Sequence, residues 1–344
     1  MKKRRVLVLV HEDLVPPDDL DGVDEKRLTD CKTEYDVVST LRNNGHDARP
    51  LGVSSDLAVI RRAIEEFRPH VCFNLLEEFH GVALYDQHVV SYLELLRQPY
   101  TGCNPRGLTL AHDKALSKKI LTYHRIPAPR FKVFPVGRKV VRPARLAYPL
   151  IVKSLTEDAS LGISQASIVA TDEKLVERVQ FIHQKIGTDA MADHYIDGRE
   201  LYVGVIGNQR LQTFPIWELE FTKLPDGAAP IATEKVKWDE SYQKQIGVKV
   251  GPARNLPDGM EEKIVKLCKR TYRALGLTGY GRIDLRLTED GRVFVIEANP
   301  NPQLAFDEDF ADSAAHFKIP YDELLNKILS LGISYRAHWR EVET

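Results

Sequence analysis

Residues 282–302 read RIDLRLTEDGRVFVIEANPNP, two alternating apolar runs on either side of Asp290-Gly291. Alternation of this kind argues for half-buried strands, and an Asp-Gly pair between them for a two-residue type I′ hairpin. With that dipeptide as the loop, paired positions sum to 581, so Asp284 faces Glu297 and Arg282 faces Asn299. Strand side chains alternate, which puts these four on one face. Ile283, Leu285 and Leu287, with Phe294 and Ile296, fill the other. Directly opposed side chains have Cβ atoms about 4.5–5.5 Å apart, and like charges at that range destabilise a ladder. Something must hold the two carboxylates together.

A cation between them would do so. Asp284, Glu297 and Asn299 offer oxygen donors only, which suits Mg²⁺ or Mn²⁺; neither sulfur nor imidazole stands near to favour Zn²⁺. The plain alternative is an exposed hairpin face on which Arg282 and Arg286 neutralise the acids. If the acids simply repel before a cation arrives, removing either one leaves the melting temperature of the ligand-free protein unchanged or raised.

Ahead of the hairpin the chain alternates strand and helix. Residues 5–10 (RVLVLV) read as a buried strand, 33–44 as a helix ended by Gly45, 47–53 as a strand, 55–67 as a helix and 70–76 as a third strand. That order predicts an α/β fold with a doubly wound parallel sheet up to about residue 105. A helix over 112–124 and a strand over 148–155, with Lys153 near its end, follow. Then come a small-residue turn DASLGIS (158–164), a returning strand SQASIVA and a helix over 172–186. Strands recur between 190 and 219, and helices span 259–277 and 321–333. The acidic stretch 11–30 follows the first strand directly, where open α/β sheets bind ligands; it reads as a solvated loop or as a lid.

The bulk numbers exclude several classes. The chain has 344 residues, 43% apolar and 28% charged, with 48 Lys+Arg against 49 Asp+Glu. That balance points to neither nucleic acid nor an anionic membrane surface. Cys31, Cys72, Cys103 and Cys268 lack metal-ligand or redox spacing, so reduced thiols and a cytoplasmic location are expected. No run is long enough to span a membrane.

Several further residues suit phosphate and ribose chemistry. Lys153 precedes a turn whose Ser160 and Gly162 would let backbone N–H groups approach a phosphate; the plain alternative, favoured for the turn by itself, is an ordinary β-turn. Lys114 lies in HDKALSKK, where the alternative is a solvated helix face, and Glu200 follows Asp-Gly-Arg, either to accept from a ribose hydroxyl or as an exposed strand-start acid. In order, YTGCNPRGLTLAHDKALSKKIL, PLIVKSLTEDASLGIS, HYIDGRELYVGVIGN and GYGRIDLRLTEDGRVFVIEANPNP resemble the ATP-grasp superfamily, and within it the D-alanine–D-alanine ligases. HVCFNLLEEFHG is similar to the Phe-Asn-Leu-Leu segment of those ligases.

The resemblance implies an ATP-grasp fold: a preATP-grasp domain over 1–105, a central subdomain over 106–190 and a C-terminal subdomain over 191–344. It implies an ADP-forming ligase in which a carboxylate takes the γ-phosphoryl group of ATP and an amine displaces phosphate. Lys114 and Lys153 would hold phosphates under the loop around Ser160. Asp193, His194, Tyr195 and Ile196 would line the adenine, with Glu200 on the ribose. Lys237, or Lys235 in a competing alignment, would add a phosphate contact. Asp284, Glu297 and Asn299 would bind two Mg²⁺, Arg282 would stabilise developing charge, and Glu34 would hold the first substrate's ammonium. The plain alternative for Glu34 is a helix-start acid. The partners implied are amino acids or peptides, with a homodimer as the assembly.

The chain departs from the ligases after Asn299. They read Thr, then Ser or Leu, then Pro-Gly-Met-Thr; here Pro300, Asn301, Pro302, Gln303, Leu304 and Ala305 stand. Where the family receives the second substrate's carboxylate, this chain has FDEDF, with Glu308 and Asp309.

Overall fold

The computed structural model describes residues 2–18, 23–157 and 160–337. Part of the 11–30 stretch, and Asp158 and Ala159 of the 158–164 turn, lie outside the described residues. The first layer runs β1 (Arg5–His11), α1 (Glu25–Asp30), α2 (Lys32–Asn43), β2 (Asp47–Val53), α3 (Ala58–Phe67) and β3 (Val71–Asn74). All three strands are parallel, in the order β2-β1-β3. Val6, Val8 and Val10 pack with Val37, Val38 and Leu41 of α2, while Leu7 and Leu9 pack with Ile60 of α3. A strand covered on both faces is apolar throughout, which is why RVLVLV does not alternate.

Three helices lead to the second layer: α4 (Asp86–Leu95), α5 (Pro105–His112) and α6 (Lys114–Tyr123). Asn104 caps α5 through Gly107 N at 2.9 Å, and Asp113 caps α6 through Leu116 N at 2.8 Å. Side-chain oxygens there satisfy N–H groups that have no intrahelical partner. The second sheet holds β4 (Phe131–Phe134), β5 (Leu150–Ser154), β6 (Ile168–Val169) and β7 (Ala190–His194) in the order β4-β7-β5-β6, under α7 (Asp172–Phe181). The strand expected over SQASIVA is mostly a 3-10 turn, Gln165–Ser167, and only Ile168 and Val169 pair with β5. Ser164 and Ser167 cap each other's backbone, a local alternative to ladder bonds that serine offers readily.

The third sheet contains β8 (Arg199–Ile206), β9 (Gln212–Thr213), β10 (Trp217–Phe221), β11 (Val248–Pro252), β12 (Tyr280–Leu287) and β13 (Val293–Asn299). Short helices α8 (Glu234–Trp238) and α9 (Glu240–Ile246) precede β11, α10 (Met260–Ala274) precedes β12, and α11 (Asp309–His316) and α12 (Tyr321–Ser334) close the chain. The order is β11-β10-β8-β12-β13, with β9 on β8. Ile264, Cys268 and Tyr272 of α10 pack beneath Leu201, Ile283 and Leu285. The opposite face carries the site. Residues 304–329 return to the first layer, where Leu304, Phe310, Leu324, Leu325 and Ile328 complete the core beside Val6 and Val8.

The hairpin corrects the expected turn. Thr288 and Arg292 pair, Gly291 N donates to Thr288 O at 3.0 Å, and Gly291 has φ 76°. The loop is therefore Glu289-Asp290-Gly291, a type I turn closed by a left-handed glycine. Near the loop paired positions sum to 580: Leu287 opposes Val293 and Leu285 opposes Val295. A bulge between Asp284 and Leu285 then skips Ile296, and Asp284 opposes Glu297 as expected. Because the loop is one residue longer, Val293 and Val295 face the core rather than Phe294 and Ile296, and beyond the bulge Ala298 takes up that face. The extra residue in the loop and the extra residue in the strand cancel at the carboxylates.

Candidate active site

A cavity opens between the second and third sheets. Lys153 reaches it from β5, Asp193 and His194 from β7, Glu200 and Tyr202 from β8, Asp284 from β12 and Glu297 from β13. Lys114, Ser160, Tyr195, Ile196 and Lys237 also line it. Glu34, Arg282 and Asn299 are not among the lining residues. Asn299 stands opposite Arg282 in the ladder, two pairs beyond Asp284 and Glu297. Apolar contacts come from Ile151, Ile163, Ile196 and Ile231, so the space combines an apolar slot with a charged end.

The charged end is built around Asp193, a buried carboxylate that binds two lysines. Asp193 Oδ2 lies 3.2 Å from Lys153 Nζ and 3.3 Å from Lys118 Nζ. Lys118 is 2% exposed, and it also donates to the Ile296 carbonyl at 3.1 Å. Ile296 is the residue that the bulge leaves without a ladder partner, in keeping with the occurrence of bulges beside functional sites. Burial pushes the Lys118 ammonium down to about 8, with Asp193 opposing and Lys153 reinforcing that fall. Two cations on one anion leave a net positive floor, suited to phosphate. Asp193 Oδ1 is buried and without a hydrogen-bond partner.

Lys118 is absent from the residues expected from sequence. The signal was present: Lys114 and Lys118 are four residues apart on one helix, where like charges repel unless an anion lies between or beside them. Lys114 Nζ donates to the Glu157 carbonyl at 2.8 Å and lies 4.0 Å from Glu297 Oε2. Lys237 lines the cavity, whereas Lys235 stands over the ring of Tyr242, 5.9 Å from its centroid.

At the face expected to hold metal, Arg282 grips Asp284 through two bonds of 2.8 and 2.9 Å. Its guanidinium also stacks on Tyr202 at 4.7 Å and reaches Asp309 at 3.9 Å. Burial raises the Asp284 carboxyl above the usual range, and Arg282 works against that rise. Arg286 pairs with Glu200, which also accepts from Tyr202 at 2.7 Å. Arg282 thus neutralises Asp284 as in the plain alternative, but Arg286 serves Glu200 and Glu297 lies nearest Lys114, and the acids stand in a partly closed cavity rather than on an exposed face. Among the described residues no group of three or more His, Cys, Asp or Glu is set to hold a metal. The donors are two carboxylates and one carboxamide, a set that fits Mg²⁺ when phosphate oxygens complete the shell.

The described part of the 158–164 turn is clasped by α8. Gly162 N donates to Glu234 Oε2 at 2.8 Å, Glu234 N donates to Ile163 O at 3.0 Å, and Gly162 O accepts from Arg178. On the other side, α2 meets the turn after β13: Asp36 accepts from Phe306 N at 2.9 Å and Thr33 meets Gln303 at 3.4 Å. Glu34 lies between these contacts in sequence and is 6% exposed. Burial pushes its carboxyl up to about 7, against the pull of a backbone hydrogen bond and Arg27.

This two-sheet clasp has a known counterpart. The D-alanine–D-alanine ligase of Bacillus anthracis, solved as a complex with ATP, aligns with a TM-score of 0.74 at 22% identity, over 99% of this chain and 100% of that one. The fold is the ATP-grasp fold. The family model described as D-ala D-ala ligase C-terminus matches residues 124–330. The uncharacterized protein y4sG of Sinorhizobium fredii is 31% identical over 86% of each chain, and the D-alanine–D-alanine ligase of Desulforudis audaxviator is 29% identical over 90% of this chain and 96% of its own. The chain belongs to the D-alanine–D-alanine ligase family, a group of ADP-forming carbon–nitrogen ligases. Among the described residues, no helix is long and apolar enough to cross a membrane.

Proposed function

We propose that this protein is an ATP-dependent carboxylate–amine ligase that forms an amide through an acyl phosphate, and that its substrate pair is not two D-alanines. The observation that carries the ATP site is the convergence of Lys114, Lys153, Glu200, Lys237, Asp284 and Glu297 on one cavity. Phosphoryl transfer of this kind depends chiefly on positioning and charge stabilisation. The lysines hold phosphate oxygens, the apolar slot takes the base, and Glu200 accepts from the ribose. Asp284, Glu297 and Asn299 would hold Mg²⁺, which neutralises charge on the transferring group. Arg282, fixed by Asp284 and Tyr202, would stabilise charge developing beside the metal donors.

The acceptor assignment rests on the wall beyond Arg282. Asp309 takes part of that guanidinium, and Glu308 and Asp312 lie within three residues of Asp309. A carboxylate arriving there meets like charge and an arginine already engaged. An amine with a further positive or a larger neutral group suits this wall better, while Glu34 is free to hold a donor ammonium. The relatives' names favour plain D-alanine ligation instead. ADP release with mass detection of products, over D- and L-amino acids and dipeptides, separates the two. Fastest turnover with D-alanine alone, with the dipeptide mass present, would reject the altered substrate pair.

Lys153→Ala is expected to weaken ATP binding at least tenfold, since a charge-assisted contact is worth roughly 1.5–3 kcal/mol. Lys118 stays behind to neutralise Asp193, so the fold should hold. Unchanged ATP affinity by calorimetric titration would show that Lys153 serves Asp193 alone.

A further inference from the structure

The Asn-Pro-Asn-Pro turn after β13 is the motif that the ATP site leaves unexplained. We infer that Asn301 and Asp86 are positioning residues that fix the carboxamide of Asn299; this rests on reading Asn299 as a metal donor. Asn299 Oδ1 accepts from the backbone N–H of Asn301 at 2.8 Å. The bond closes an Asx turn, and Pro300 inside it has its φ held by the ring. An amide oxygen has two lone pairs. With one on the Asn301 N–H, the other remains for a cation, and the amide nitrogen, which would repel it, is turned aside.

The turn is itself anchored. The Asn301 side chain donates Nδ2 to Asp86 Oδ2 at 3.2 Å, and the same oxygen accepts from His112 Nε2 at 3.0 Å. Asp86 is 1% exposed and opens α4. His112 ends α5 directly before Asp113, the cap of the helix that carries Lys114. One buried carboxylate therefore ties the donor turn to the start of the lysine helix. Outer-shell partners that orient a metal ligand typically change metal affinity about 10–100-fold when lost.

The test uses the full chain with ADP present, following free Mn²⁺ by its electron paramagnetic resonance signal. Asn301→Ala is expected to weaken Mn²⁺ binding about tenfold. Asn301→Asp should weaken it further, because it sets a second carboxylate against Asp86. The exchange Asp86→Asn with Asn301→Asp should recover most of the loss, since donor and acceptor have swapped places and the bond is restored. A purely structural role would move melting temperatures without this pattern of loss and recovery. If Asn301→Asp does not fold, Asn301→Ala and the exchange still decide. Wild-type Mn²⁺ affinity in Asn301→Ala, or no recovery on exchange, overturns the positioning role alone. Absence of Mn²⁺ binding in the wild type overturns the metal-donor reading of Asn299 and this inference with it.

Discussion

Asp284→Asn and Glu297→Gln are both expected to abolish Mg²⁺-dependent ADP formation, but to part company in stability. Sequence alone suggests that removing either acid relieves repulsion. The structure gives each acid its own cation. Asp284 holds Arg282 through two bonds, so Asp284→Asn leaves a buried guanidinium with only Asp309 at 3.9 Å. Breaking a buried pair by removing one partner costs roughly 3 kcal/mol or more. The ligand-free melting temperature of Asp284→Asn should therefore fall. Glu297 lies 4.0 Å from Lys114, which also has the Glu157 carbonyl. Glu297→Gln should then melt close to wild type. Turnover comparable to wild type in either variant would end the metal assignment, and equal melting of the two would reject the pairing.

Glu34→Gln is expected to stabilise the ligand-free protein at pH 8 while damaging donor binding. The folded carboxyl titrates near 7 because of burial, above its unfolded value. Below the unfolded pKa the group is neutral in both states and costs nothing. As pH rises towards 7, the unfolded chain releases a proton that the folded chain keeps, and stability falls. Above 7 the full cost is present, roughly 3 kcal/mol by the size of the shift. Urea midpoints of wild type and Glu34→Gln should thus separate at pH 8 and converge near pH 4.5. A donor ammonium offsets that cost, so KM for the donor should rise in the variant. Parallel stability curves across this range would reject burial as the origin of the shift.

How far this was legible in the sequence differs by element. The parallel first sheet and the facing of Asp284 and Glu297 were readable, because unbroken apolar runs and alternating runs have distinct physical causes. The second was reached through two compensating misreadings: Gly291 takes the left-handed position of a longer loop, and the bulge at Ile296 restores the pairing. Turn type depends on backbone fit that composition only suggests, and a bulge leaves no local signature. The spacing of Lys118 from Lys114 was visible, but its anion, Asp193, lies 75 residues further along the sequence and was not readable. The Asp86–Asn301 bridge spans 215 positions and was unreadable for the same reason. The three-strand reading of residues 190–219 missed that β7 and β8, adjacent in sequence, belong to different sheets; that divergence creates the cavity between them.

The return of the chain end to the first layer bears on how the protein is made. Val6, Val8, Val10 and Phe73 are covered by Leu304, Phe310, Leu324, Leu325, Ile328 and Leu329. A ribosome releases the first sheet long before those residues exist. Until then that apolar face is covered only in part, by α2, even though its strands can already pair. Domains usually fold in the order of synthesis; here the first to emerge is among the last to be finished. The vulnerable interval spans most of translation, and a chain that stops short of α12 leaves that face part-covered permanently.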